Sequence, residues 1–121
     1  MGRLAERAVD NHKNWYTCSG AVLCAFAEEA GMTQAEAQKL SAPFAGGRQG
    51  KCGAVLAAER VLEQKYAPEQ AAAMIERLEK AFAAKNRSVI CRELRGGGLR
   101  TCRGCVQDSA EILESMLSEN R

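Results

Sequence analysis

The chain has 121 residues, with 17 lysines and arginines against 15 aspartates and glutamates, and 46% of it is hydrophobic. That length suits one domain with its own core. Basic and acidic residues are interspersed, which excludes the basic stripe of a nucleic-acid binder, and no apolar run reaches the ~20 residues a membrane helix needs.

Alanine, leucine and glutamate are abundant, aromatics make up only 5%, and proline occurs only at Pro43 and Pro68. This balance predicts an all-α fold over residues 1–121, a single-domain array of about five or six helices. The first seven residues are charged and lack the apolar stretch of a secretory signal. The expected compartment is therefore the reducing cytoplasm. Six cysteines in such a setting bind metal or do redox work more often than they form structural disulfides.

In chain order, residues 3–13 read as a short amphipathic helix with Leu4, Ala8 and Val9 inward, and His12 on the surface. Trp15 and Tyr16 are expected to anchor the next helix to the core. Thr17 or Ser19 caps that helix, which runs to about Ala30. Cys18 shares its inward face with Val22 and Phe26, Cys24 points elsewhere as an incidental small residue, and Gly31 supplies the C-cap. Thr33-Gln34-Ala35-Glu36 is a capping box opening a helix that Pro43 discourages from continuing. A glycine-rich loop follows, and Cys52 opens a helix to about Tyr66. Pro68 sits at a first helical position with Glu69 in the first turn, and Ala71, Ile75, Leu78 and Phe82 form the core stripe of a helix to Lys85-Asn86. Ser88 begins a short capped turn carrying Cys91, which stops before Gly96-Gly97-Gly98. Thr101 caps a last helix to about Ser118, with Cys102, Cys105, Val106, Ser109 and Leu113 on one face.

The thiols share a device. Cys18, Cys52 and Cys102 each stand at a helix start, and Cys91 lies in a helical turn beside basic residues. Unsatisfied N–H groups and the positive end of the helix dipole favour a thiolate there. Arg48 and Lys51 beside Cys52 add positive charge, so Cys52 is the expected attacking thiol. Gly47 and Gly53 flank it and admit close approach of a backbone or cofactor. The cluster Arg92, Arg95, Arg100 and Arg103 reads as a solvated loop or as a field acting on nearby thiols. Four cysteines can also hold zinc or a two-iron cluster, although spacings from 18 to 52 to 91 to 102 match neither a zinc ribbon nor a plant-type ferredoxin. Cys102-Arg103-Gly104-Cys105 has the C-x-x-C form without the βαβ setting of thioredoxin-like proteins.

Several stretches together carry a resemblance. They are Cys18-Ser19-Gly20-Ala21-Val22-Leu23-Cys24-Ala25-Phe26-Ala27 with Gly31, then Phe44-Ala45-Gly46-Gly47, and Gly50-Lys51-Cys52-Gly53-Ala54-Val55. Val89-Ile90-Cys91-Arg92-Glu93-Leu94 follows, and last Cys102 with Val106 and Ala110-Glu111-Ile112-Leu113. The chain resembles the redox-active family named for its C-GCAxxG-C-C cysteine pattern, itself similar to a domain of split-Soret cytochromes. The resemblance spans residues 16–117 and implies that Cys18, Cys52, Cys91 and Cys102 are the shared cysteines, with Cys24 and Cys105 as extras. It also implies iron–sulfur binding as one use of the four. The family's second glycine is Ala57 here, where a methyl replaces hydrogen on an alanine-rich helix.

The expected function is a small redox-active cysteine protein, using the four thiols as a dithiol/disulfide couple or as iron–sulfur ligands, with a redox partner protein. A structural zinc scaffold and a helical binding protein with merely packed cysteines are the alternatives. No histidine–carboxylate pair lies near a thiol, and the glycine stretches lack the strand–loop–helix setting of a nucleotide fingerprint, so the residues do not decide whether the protein is an enzyme. The glycine stretches are expected to let the cysteine segments move with oxidation state.

Overall fold

The uncharged stretch 18–27 becomes the centre of the interior. A computed structural model describes residues 2–119, and their regular structure is helical, apart from an isolated antiparallel bridge between Lys51 and Ile90. Six α-helices form: α1 (Arg3–Lys13), α2 (Cys18–Ala25), α3 (Gln34–Ser41), α4 (Gly53–Lys65), α5 (Pro68–Asn86) and α6 (Cys102–Glu119). A 3-10 helix (Ala42–Gly47) makes seven, one or two more than expected, and a π turn (Arg92–Gly96) joins α5 to α6. No described helix is long and apolar enough to cross a membrane.

α2 is the centre. Every residue from Cys18 to Ala25 is buried, and the helix packs on α1, α3, α4 and α6. A helix apolar all round is one that neighbours surround, which is why Cys24, facing away from Val22, is as buried as its neighbours. α2 ends at Ala25, earlier than the periodicity suggests. At Ala27 the backbone switches to an i−3 bond with Cys24 O (3.4 Å), and Gly31, at φ +72°, closes the turn. The side chains of Phe26, Phe82, Leu62, Leu78 and Leu113 complete a core in which each such residue contributes about 1.5–3 kcal/mol by leaving water.

The local signals behave as their chemistry requires. Thr17 Oγ1 accepts from Gly20 N (3.0 Å), Thr101 Oγ1 from Gly104 N (3.0 Å), and Thr33 with Glu36 forms the reciprocal capping box. α1 has no side-chain cap at its own Gly2; instead Glu114 of α6 accepts from Leu4 N (3.1 Å) and Ala5 N (3.0 Å), so a carboxylate from the far end of the chain meets the positive end of α1.

Three expectations are corrected. Trp15 does not anchor anything: it has a positive φ of 73° and is 95% exposed, while Tyr16 alone packs against the core. The stretch after α3, which ends at Ser41 as expected, is not all loop: Pro43 sits in the first turn of the 3-10 helix. The segment after α5 is not a helix capped at Ser88. There Ser88 Oγ accepts from Ile90 N (2.9 Å) in a local turn, and the π turn starts only after Cys91.

Candidate functional site

The three helix starts and the Cys91 turn singled out in the sequence lie around the start of α2. Cys18 is the first residue of α2, Cys52 the N-cap of α4, Cys91 immediately precedes the π turn, and Cys102 is the first residue of α6. Two local arrangements bring them there. Cys52 N donates to Val89 O (2.7 Å) and Cys91 N to Gly50 O (3.0 Å), which lays the Cys52 and Cys91 segments side by side. Ser109 Oγ donates to Ala54 O (2.8 Å), pinning α6 to the start of α4.

The two glycines proposed for close approach are filled by thiols. A Cβ on Gly53 would lie 2.7 Å from Cys18 Sγ and 2.9 Å from Phe44 O. A Cβ on Gly47, which has φ +78°, would lie 2.5 Å from Cys91 Cβ and 2.8 Å from its Sγ. Hydrogen at these positions is what lets Cys18 and Cys91 sit in van der Waals contact with the neighbouring backbone. Ala57, by contrast, is fully buried within α4, so its methyl is part of the packing.

Within the group the thiols are unequal. The Cys102 thiol hydrogen-bonds to Cys18 and, with Gly46 N (3.4 Å from Cys18 Sγ), Ser19 N and the charge of Arg95, holds the Cys18 thiol down at about 6 against the opposing effect of burial. Cys102 is pushed up by the same hydrogen bond, by burial and by the Cys18 charge. The two thiols therefore titrate together, with negative charge favoured on Cys18 over Cys102. Cys18 is 6% exposed, and Cys102 is only half-buried.

Cys52 behaves opposite to expectation. Its thiol is raised, first by a hydrogen bond with Cys105 and then by burial. The cations meant to lower it are turned away. Lys51 Nζ lies 2.6 Å from Glu79 Oε2 and 3.7 Å from Glu59 Oε2, and Arg48 Nη1 is directed at Ala42 O (3.4 Å). Cys105, an extra by pattern, is thus the direct neighbour of Cys52. The C-x-x-C spacing was the signal for it, since that spacing puts Cys105 one turn beyond Cys102.

Of the four clustered arginines only Arg95 acts on the thiols. The Cys91 thiol beside it, and then Cys102 and Cys18, hold it more basic. Arg100 is taken by Asp108 (3.2 and 3.4 Å), and Arg103 Nε donates to His12 Nδ1 (3.2 Å). His12 is accordingly half-buried rather than a plain surface residue, and burial followed by the charges of Arg103 and Arg95 lowers it. Cys24 stands apart, with its Sγ 3.8 Å from Gln34 O, and burial raises its thiol. All six cysteines are free thiols.

As donors for iron–sulfur or zinc the thiols do not form one set. They fall into the pairs Cys18–Cys102 and Cys52–Cys105, with Cys91 on Arg95, and no three His, Cys, Asp or Glu side chains among the described residues are gathered around a common point. This placement does not fit a four-thiolate group.

An all-α protein with its thiols collected at helix starts around a glycine loop is a cysteine-centred protein. The chain belongs to the family described as "Putative redox-active protein (C_GCAxxG_C_C)", whose pattern matches residues 16–116. No curated protein and no solved structure matches it.

Proposed function

We propose that the chain is a thiol–disulfide exchange protein whose redox couple is Cys18 and Cys102, serving a partner protein in the cytoplasm. What supports this reading is the coupling of the Cys18 and Cys102 thiols at two helix starts, which lowers Cys18 and raises Cys102.

The reaction follows from that pair. The Cys18 thiolate attacks one sulfur of a partner disulfide. The Cys18 Sγ–S bond forms, the partner S–S bond breaks, and the first partner sulfur leaves as a thiolate that takes a proton from solvent. Cys102 then gives up its proton and attacks Cys18 Sγ. The Cys18–Cys102 disulfide forms, and the second partner sulfur leaves with that proton. Two electrons pass to the partner, which gains two thiols, and the reverse sequence restores the dithiol. A nucleophile with its pKa near ambient pH is the efficient one for such exchange, which favours Cys18 over Cys52. Gly46, where a side chain would find open space, is the side from which a partner sulfur reaches Cys18.

The test is oxidation of reduced, air-free protein by a graded thiol/disulfide buffer, followed by mass mapping and iron and zinc analysis. The expected result is one two-electron couple linking Cys18 to Cys102, lost in Cys18→Ser and in Cys102→Ser and kept in Cys24→Ser. A different linked pair, no reversible couple, or stoichiometric metal held by these thiols would overturn the reading.

A further inference from the structure

Cys91 lies at the glycine loop, with its side chain against Gly47. An open cavity of about 740 Å³ is lined by Gly46, Gly47, Gly50, Ile90, Cys91, Arg92, Arg95 and Gly96. Its walls combine three chemistries. Glycine backbone at Gly46 and Gly50 faces open space where side chains would stand. Arg95 lines the cavity beside the Cys91 thiol. Arg92, whose stem rests 4.0 Å from the position of a Cβ on Gly96, has no ion-pair or hydrogen-bond partner among the described residues. The nearest acid in sequence, Glu93, is engaged by Ser88 Oγ. Two guanidinium groups thus stand at a cavity whose floor is a thiol, and no carboxylate lines it.

We infer that this cavity takes a small disulfide bearing carboxylates, with Arg92 and Arg95 holding the anionic groups and Cys91 forming a mixed disulfide with its sulfur. Guanidinium groups match carboxylates in charge and in planar, forked geometry. The volume falls in the range of a small-molecule site. In the reaction Cys91 loses its proton to water and attacks one sulfur of the disulfide. The Cys91 Sγ–S bond forms, the ligand S–S bond breaks, and the released sulfur takes a proton and leaves as a free thiol. Cys91 sulfur is oxidised and one ligand sulfur is reduced, so the step balances without a further oxidant. The inference rests on a thiol outside the Cys18–Cys102 couple, with Gly46 and Arg95 bordering both.

The experiment compares two probes of the same reactive bond and opposite charge, oxidised glutathione and cystamine. Reduced protein is mixed with each at low ionic strength, quenched with acid, and mapped by mass. It is done on the wild-type chain and on Cys102→Ser, in which the half-buried Cys102 thiol cannot displace the adduct. The expected result is a glutathione adduct on Cys91, formed about tenfold faster than the cystamine adduct, the size of two partly exposed arginine–carboxylate contacts. The preference shrinks as salt is added and falls in Arg92→Gln. Equal rates for the two probes, a preference that Arg92→Gln leaves intact, or labelling that bypasses Cys91 in both proteins would overturn it. A missing Cys18–Cys102 couple with Cys91 labelling intact would overturn the proposed function and leave this site standing.

Discussion

Replacing Cys102 by alanine removes the largest of the influences that keep Cys18 ionised. A fall from the usual 9.0 to about 6 corresponds to about 4 kcal/mol in favour of the thiolate. Gly46 N, Ser19 N and Arg95 remain in the variant, and burial works against them. The ionisation midpoint should therefore rise by at least about one pH unit, about 1.4 kcal/mol. At pH 7 the thiolate fraction of Cys18 then drops from about 90% to about 50% or less. Cys102→Ser keeps a hydroxyl donor in place of the thiol and should move the midpoint less, although it can form no disulfide. The assay is thiolate ultraviolet absorbance against pH on reduced protein, with Cys18→Ser included to assign the low step. A midpoint that stays at about 6 in Cys102→Ala, or a low step that survives in Cys18→Ser, would refute the paired-thiol argument. The same pair sets a pH signature on stability. Cys18, lowered on folding, contributes stability that is present above 9.0 and lost as pH falls through about 6. Cys102, raised, contributes stability that is present below 9.0 and lost as pH climbs past it.

Gly53→Ala should destabilise the fold by about 1–3 kcal/mol in chemical denaturation, because its methyl would meet Cys18 Sγ at 2.7 Å and the Phe44 carbonyl at 2.9 Å; a loss under about 0.5 kcal/mol would show that this contact is slack. Glu59→Gln should flatten the dependence of stability on pH. Burial, and then Glu79, raise the Glu59 carboxyl to about 8, with Lys51 opposing, so its contribution is present below 4.5 and lost as pH rises through about 8. The loss amounts to at most about 5 kcal/mol, whereas Glu79, lowered on folding, contributes stability already fully present above 4.5. Identical slopes for the wild-type and Glu59→Gln proteins over that interval would contradict the assignment.

The sequence by itself determined what depends on near neighbours. Thr17, Thr33 and Thr101 mark helix starts because a hydroxyl can reach an N–H two or three residues on. Gly31 marks an end because it takes a positive φ without strain, and Pro68 fits a first turn that has no N–H to spare. These signals place Cys18, Cys52 and Cys102 at helix starts, and the order of the cysteines points to the family. Whether a thiol is ionised is settled by groups that arrive from elsewhere in the chain, and only the tertiary structure decided that. Cys18 is lowered by Cys102 and Arg95, brought in from the far end of the chain, whereas Cys52 faces Cys105 and loses the lysine beside it to Glu79 of α5. Adjacency in sequence gave Lys51 the wrong target because a long, flexible ammonium side chain takes the nearest carboxylate, and the nearest carboxylates belong to α4 and α5. Trp15 shows the same division: an aromatic residue before a buried helix reads as an anchor, but its left-handed backbone turns the ring out to solvent.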